Sequence, residues 1–152
     1  MSGPRVESLL AELHRARTEF VEALAALQDP SVKVVETWDA RDLAFHCAFW
    51  SNHGADALEL AMAGRGSEFD YDGSTTDAMN QVTATRGHRV SFDDARRDEA
   101  IAYERFRSDL ATLGDERLDV ELGNGDRVED VVRYDGPDHY AEHAQHLRDA
   151  AR

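Results

Sequence analysis

Apolar residues recur three and four positions apart along most of the chain, which predicts a protein assembled from helices. Val6, Leu9, Leu10, Leu13, Phe20, Val21, Leu24 and Leu27 fall on one stripe. A first helix is therefore expected from about Val6 to Leu27, stopped by Asp29-Pro30. Ser31 to Thr37 reads as a linker; its short β-branched run is too isolated for a strand. A second helix should start at Asp39, a good N-cap residue, and run to about Ala63, where Gly64-Arg65-Gly66 closes it. Its buried stripe comprises Leu43, Cys47, Trp50, Leu58 and Ala61, with His46 on the edge.

Polar, glycine-flanked residues from Ser67 to Gly73 predict a loop, followed by a helix from about Ser74 to Arg86. Ser91-Phe92-Asp93-Asp94 has the form of a capping box with Asp in place of Glu, and opens a helix to about Leu113. Ile101, Phe106, Leu110 and Leu113 supply its apolar positions. Between Leu118 and Val132 the pattern is ambiguous. Asn124-Gly125 signals a type I′ hairpin, and either a small hairpin or a loop fits there, followed by a short helical turn at Val128 to Tyr134. Asp135-Gly136-Pro137 then sets up a last helix to about Ala150. The expected fold is all-α, a single domain over residues 1–152, with no internal repeat.

Composition narrows the function classes. A formal charge of −14 disfavours nucleic acid and anionic membranes as partners. Mean hydropathy is −0.59, and no apolar run approaches the roughly 20 residues of a membrane span. The opening Met1-Ser2-Gly3-Pro4-Arg5 lacks the apolar core of a signal peptide, so a cytoplasmic location is expected. Cys47 is the only cysteine, which excludes an intramolecular disulfide; a buried inert thiol is its expected role.

The candidate chemistry lies in the last helix. His139, His143 and His146 stand at i, i+4 and i+7, within roughly 60° of one another on a helix. An i, i+4 histidine pair fixes two metal-coordination positions from one turn, but a zinc site usually takes three or four protein ligands. The missing ligand is best sought in Trp38-Asp39-Ala40-Arg41-Asp42-Leu43-Ala44-Phe45-His46-Cys47-Ala48-Phe49-Trp50, where His46 sits inside the second helix. The plain alternative is that these histidines form a solvated polar edge. Several neighbours of the stripe have two readings. Asp42, one turn before His46, could orient a ligand or compensate the helix start. His53 could line the mouth of the site or lie on the surface. Trp50, Tyr140 and Phe49 could wall a pocket or belong to the core. His146 is either a further ligand or an exposed residue near the helix end. Glu142 points away from the stripe, and His14 and His88 fit no pattern. There is no Gly-x-Ser-x-Gly elbow, Walker-type loop or dinucleotide fingerprint.

The tryptophan-led second helix with its histidine, together with the late His-Tyr-x-x-His followed by Leu147-Arg148, resembles the DinB/YfiT-like superfamily of metal-dependent four-helix bundles. The amphipathic first helix and Asn80 before a basic segment add to the likeness, which covers nearly the whole chain in order and length. The resemblance implies one divalent metal, zinc or nickel, held by His46, His139 and His143, and it favours these over His146. It implies a small-molecule substrate and a low-molecular-weight thiol such as mycothiol or bacillithiol as cosubstrate, in a transferase or isomerase; other relatives resemble hydrolases. It also allows a homodimer, with the apolar first helix as interface. The competing expectation is a non-catalytic, stress-associated or small-molecule-binding bundle with an empty or degenerate metal site.

Overall fold

The first apolar stripe forms helix α1 (Pro4–Ala26), with Pro4 in its first turn. In the computed structural model, which describes residues 2–152, it is followed by α2 (Ala40–Met62), α3 (Thr76–Gly87), α4 (Phe92–Thr112), α5 (Val128–Asp135) and α6 (Pro137–Ala150). Short 3-10 turns at Gly66–Glu68, Gly73–Thr75 and Asp115–Asp119 join them. The chain is all-helical: among the described residues two isolated bridges, Val35 to Trp38 and Glu121 to Arg127, are the sole β pairings.

Side-chain caps place the starts of the two middle helices. Asp39 accepts the backbone N–H of Asp42 at 3.0 Å, and Asp42 Oδ2 accepts the backbone N–H of Asp39 at 3.1 Å, a reciprocal box at the head of α2. At α4 the box is one-sided. Ser91 Oγ accepts the N–H of Asp94, while the Asp94 carboxylate turns to Arg97 instead. The ambiguous stretch resolves into a tight turn and then α5. The Gly125 N–H bonds the Leu122 carbonyl at 3.0 Å, and the Leu122 N–H bonds the Asp126 carbonyl at 2.8 Å. Within this turn only Gly125 has positive φ, at 90°. Type I′ needs positive φ at both central residues, so the turn is a type I turn closed by a left-handed glycine. Gly136 joins α5 to α6 where a side chain has no room: a Cβ there would lie 2.4 Å from the Val132 carbonyl oxygen.

The apolar faces of α1, α2, α4, α5 and α6 meet in one core, with α2 along α4 and α1 along α6. Leu9, Leu13 and Phe20 pack there with Leu43, Leu58, Phe106, Leu110, Val131 and Leu147, all fully buried. The α1 stripe is thus largely covered within the chain, with Leu10 and Val21 only partly buried. Ile101, expected as an apolar face residue of α4, is instead 63% exposed, because that turn of α4 faces outward. No helix of the described residues is long and apolar enough to cross a membrane.

One polar chain threads this core. Arg17 on α1 grips Glu99 on α4 through Nε (3.3 Å) and Nη2 (2.7 Å). The Tyr140 hydroxyl on α6 donates to Glu99 Oε2 at 2.6 Å, and Ser51 on α2 lies 2.9 Å from the same hydroxyl. Since Tyr140 donates to Glu99, Ser51 donates to Tyr140. Four helices are pinned by one hydrogen-bonded chain, and the pin on α6 sits between the residues that carry its chemistry.

Candidate metal centre and its cavity

The register of α6 set by Tyr140 turns His139 and His143 toward α2, where His46 meets them. His46 Nε2 lies 2.9 Å from His139 Nε2, and His139 Nε2 lies 3.0 Å from His143 Nε2. One potential ligand nitrogen from each histidine lies within 4.8 Å of the other two. The three residues that the sequence pointed to are therefore brought together, across 93 positions of chain in the case of His46 and His139.

The environment keeps these imidazoles neutral. His46 and His143 are buried, and Trp38 sits against the His46 ring with centroids 4.7 Å apart. Burial, reinforced by the neighbouring histidines, holds His46 well below the usual histidine range. Burial lowers His139 to about 4, and burial with the adjoining His139 and His146 lowers His143 to about 2. Neutral imidazole is the metal-binding form.

Three converging Nε2 atoms are poorly suited to one another. His139 Nε2 faces two partners, and each ring nitrogen has either one proton or one lone pair, so only one good N–H···N bond can form among them. A divalent cation would satisfy all three. Metal–nitrogen bonds of 2.0–2.1 Å at right angles place neighbouring nitrogens about 2.9 Å apart, and at the tetrahedral angle about 3.3 Å. The observed 2.9 and 3.0 Å about His139 match the right-angled spacing, and the third pair lies within 4.8 Å. The residues present fit a metal ion.

Behind the trio, support is uneven. His143 Nδ1 lies 3.2 Å from His146 Nδ1, so His146 steadies His143 rather than joining the ligand set. His46 Nδ1 and His139 Nδ1 are buried and have no partner. Asp42 is not the ligand-orienting carboxylate: its Oδ2 serves the α2 cap and its Oδ1 lies 3.0 Å from His88 Nδ1. The cap geometry wins because a carboxylate three residues past the N-cap reaches back to the backbone, not down the helix.

The histidines form part of the wall of a cavity of about 1280 Å³, between α2, α3, α6 and the loops carrying Trp38, Tyr71 and Asn124. Trp50 belongs to this wall, its indole N–H donating to Asn80 Oδ1 at 2.8 Å, whereas Tyr140 is wholly core and Phe49 faces a smaller cavity of about 280 Å³. Glu142 is exposed, as expected, at the cavity's edge. Cys47 is fully buried, and burial pushes its thiol well above the ordinary range, as an inert core residue requires.

His53 is neither at the mouth nor a surface residue. It packs among Trp50, Phe69 and Tyr71 and holds Asp135 Oδ2 at 2.5 Å through Nδ1. Asp135 lines the cavity, and burial raises its carboxyl to about 6 against the opposing pull of His53. This pair was invisible in sequence because its members lie 82 residues apart and Asp135 stands in what reads as turn punctuation. Comparison with known proteins returns no match: no family model, no curated protein and no solved structure corresponds to this chain.

Proposed function

We propose that this chain is a DinB-like four-helix bundle acting as a divalent-metal-dependent enzyme on a small molecule bound in the large cavity, with His46, His139 and His143 holding zinc or nickel. The observation that carries the reading is the convergence of three neutral imidazole Nε2 atoms whose hydrogen-bonding needs cannot be met by one another. A bound divalent ion there would supply an acidified water or a stabilised substrate thiolate.

The chain's own groups do the remaining work. Burial keeps the three imidazoles unprotonated at neutral pH, and His146 fixes the ring of His143. Asp135, braced by His53, places a carboxyl able to accept or return a proton on the wall of the same cavity. These parts serve a thiol-dependent transfer or isomerisation, with a thiol such as mycothiol or bacillithiol as cosubstrate, and equally a hydrolysis. The test is adduct formation between mycothiol and an electrophile such as 1-chloro-2,4-dinitrobenzene by the zinc- or nickel-loaded protein, alongside hydrolysis of simple activated esters and amides. Turnover that depends on metal and is lost in His46→Ala supports the reading; turnover unchanged in His46→Ala overturns it.

One observation favours the competing reading, a binding protein with a weak or degenerate metal site. If Nε2 of His46 and His139 bound a metal, each Nδ1 would carry a buried proton with no acceptor, at a cost of about 1–3 kcal/mol each. Ligand-induced thermal stabilisation without turnover, and a metal that dialyses away, would decide for that reading.

A further inference from the structure

Beyond the histidines, the cavity is distinguished by charge and by rings. Seven carboxylates line it, and among the described residues no lysine or arginine does. Seven negative charges outnumber the two positive charges of a divalent ion, so the cavity attracts cations with the metal present or absent. An acidic wall alone would reflect no more than an acidic protein; the second feature is an aromatic cluster set into it.

Trp50, Tyr71 and Tyr134 follow one another along the wall. The Trp50 and Tyr71 rings stand 5.6 Å apart at 68°, and Tyr71 and Tyr134 stand 6.1 Å apart at 52°. Successive rings at steep angles pack into one aromatic cluster that lines the cavity. Their polar edges are tied down: Trp50 donates to Asn80, and the Tyr134 hydroxyl donates to Asp126 at 3.0 Å. Next to Tyr134 stands Asp135, one oxygen held by His53 and the other without a hydrogen-bond partner among the described residues. Fixed aromatic rings beside a carboxylate are the recognition chemistry of an organic ammonium group, which is attracted to ring faces and to negative charge together.

We infer that the substrate of this cavity is an organic cation, its ammonium group lying against the cavity-facing side of the Trp50, Tyr71 and Tyr134 cluster, near Asp135. This rests on the cavity being the substrate site of the proposed enzyme and adds the chemical class of what enters it. Of the two cosubstrate thiols proposed above, the same walls disfavour bacillithiol, whose malate carries two carboxylates, and admit mycothiol, which carries none.

The probe is choline against its uncharged isostere 3,3-dimethylbutan-1-ol, which has the same shape and no charge. Binding is measured by calorimetry on the zinc-loaded protein and on metal-free His139→Ala. Choline should bind saturably and at least ten-fold tighter than the isostere. That preference should fall at least ten-fold in Asp135→Asn and in Tyr71→Leu, with thermal melting showing each variant folded. Equal binding of the two probes to the unmutated protein, absence of saturable choline binding at millimolar concentration, or a preference untouched by both substitutions would overturn the inference. Choline selectivity that persists in His139→Ala places the cation site independently of the metal, so a protein that binds choline but no metal contradicts the enzyme reading alone.

Discussion

Two polar clusters tie α6 to α2, and they are finished differently. In the core, Ser51, Tyr140, Glu99 and Arg17 form a chain in which each group donates or accepts toward the next. A few ångströms of helix away, His46, His139 and His143 crowd three ring nitrogens together and leave two others without partners. The first cluster is closed and has no need of anything outside the chain. The second is open: its hydrogen-bonding capacity is not exhausted within the fold, and a metal ion could complete it. Histidines and buried carboxylates alone do not tell structure from function; whether their hydrogen-bonding capacity is exhausted within the fold does.

Breaking the closed cluster has the largest expected effect. Glu99→Ala leaves Tyr140 buried and Arg17 half-buried without their acceptor and should destabilise the fold by about 2–4 kcal/mol, read as the shift in a urea unfolding midpoint. The open cluster instead shows itself through pH. His139 is held at about 4 in the fold against an ordinary value of 6.5, so the unfolded chain takes up the proton first. Stability present above pH 6.5 is therefore lost as the pH falls toward 4, by roughly 3 kcal/mol for this residue alone. Metal-free protein unfolded in urea at pH 7, 5.5 and 4 should show this decline, and His139→Ala should make it shallower, His46 and His143 still contributing in the same sense.

Smaller effects sharpen the contrast. His146→Ala removes the partner of His143 Nδ1 and should weaken zinc binding about ten-fold, read by competition with a chromophoric chelator, with little change in metal-free stability. Asp42→Asn touches the α2 cap and the contact with His88, not the trio: it should cost about 1 kcal/mol in thermal or urea unfolding and leave zinc affinity as it was. A large loss of zinc affinity in Asp42→Asn would restore that carboxylate to the metal site.

Much of this was legible in the chain itself. The helices follow from apolar spacing and from punctuation at Asp29-Pro30, Asp39 and Gly136-Pro137, and their observed ends fall within two residues of expectation for α1, α2, α4 and α6. His139 and His143 were legible as a pair because they share one helical turn; the choice of His46 as their partner, and of this pair over His146, came from the resemblance to the DinB/YfiT-like superfamily and not from spacing. Periodicity failed where tertiary packing decides. Ile101 has the spacing of a core residue yet faces outward, since nothing in α4's own pattern says which neighbours cover each turn. Asp42 looked like a ligand's support because one-turn spacing ignores the competing reach of a carboxylate to the helix start. Glu99 and Asp135 were missed for a related reason. Each is a charged residue whose partners are far away in sequence, and only the fold shows that Arg17, Tyr140 and His53 meet them.

Whether the histidine trio holds a metal is decided by elemental analysis of protein purified without a histidine tag, beside the His139→Ala variant prepared identically. Near-stoichiometric zinc or nickel is expected in the parent and none in the variant. A parent that holds no metal even after reconstitution, or a variant that retains as much as the parent, would contradict this expectation.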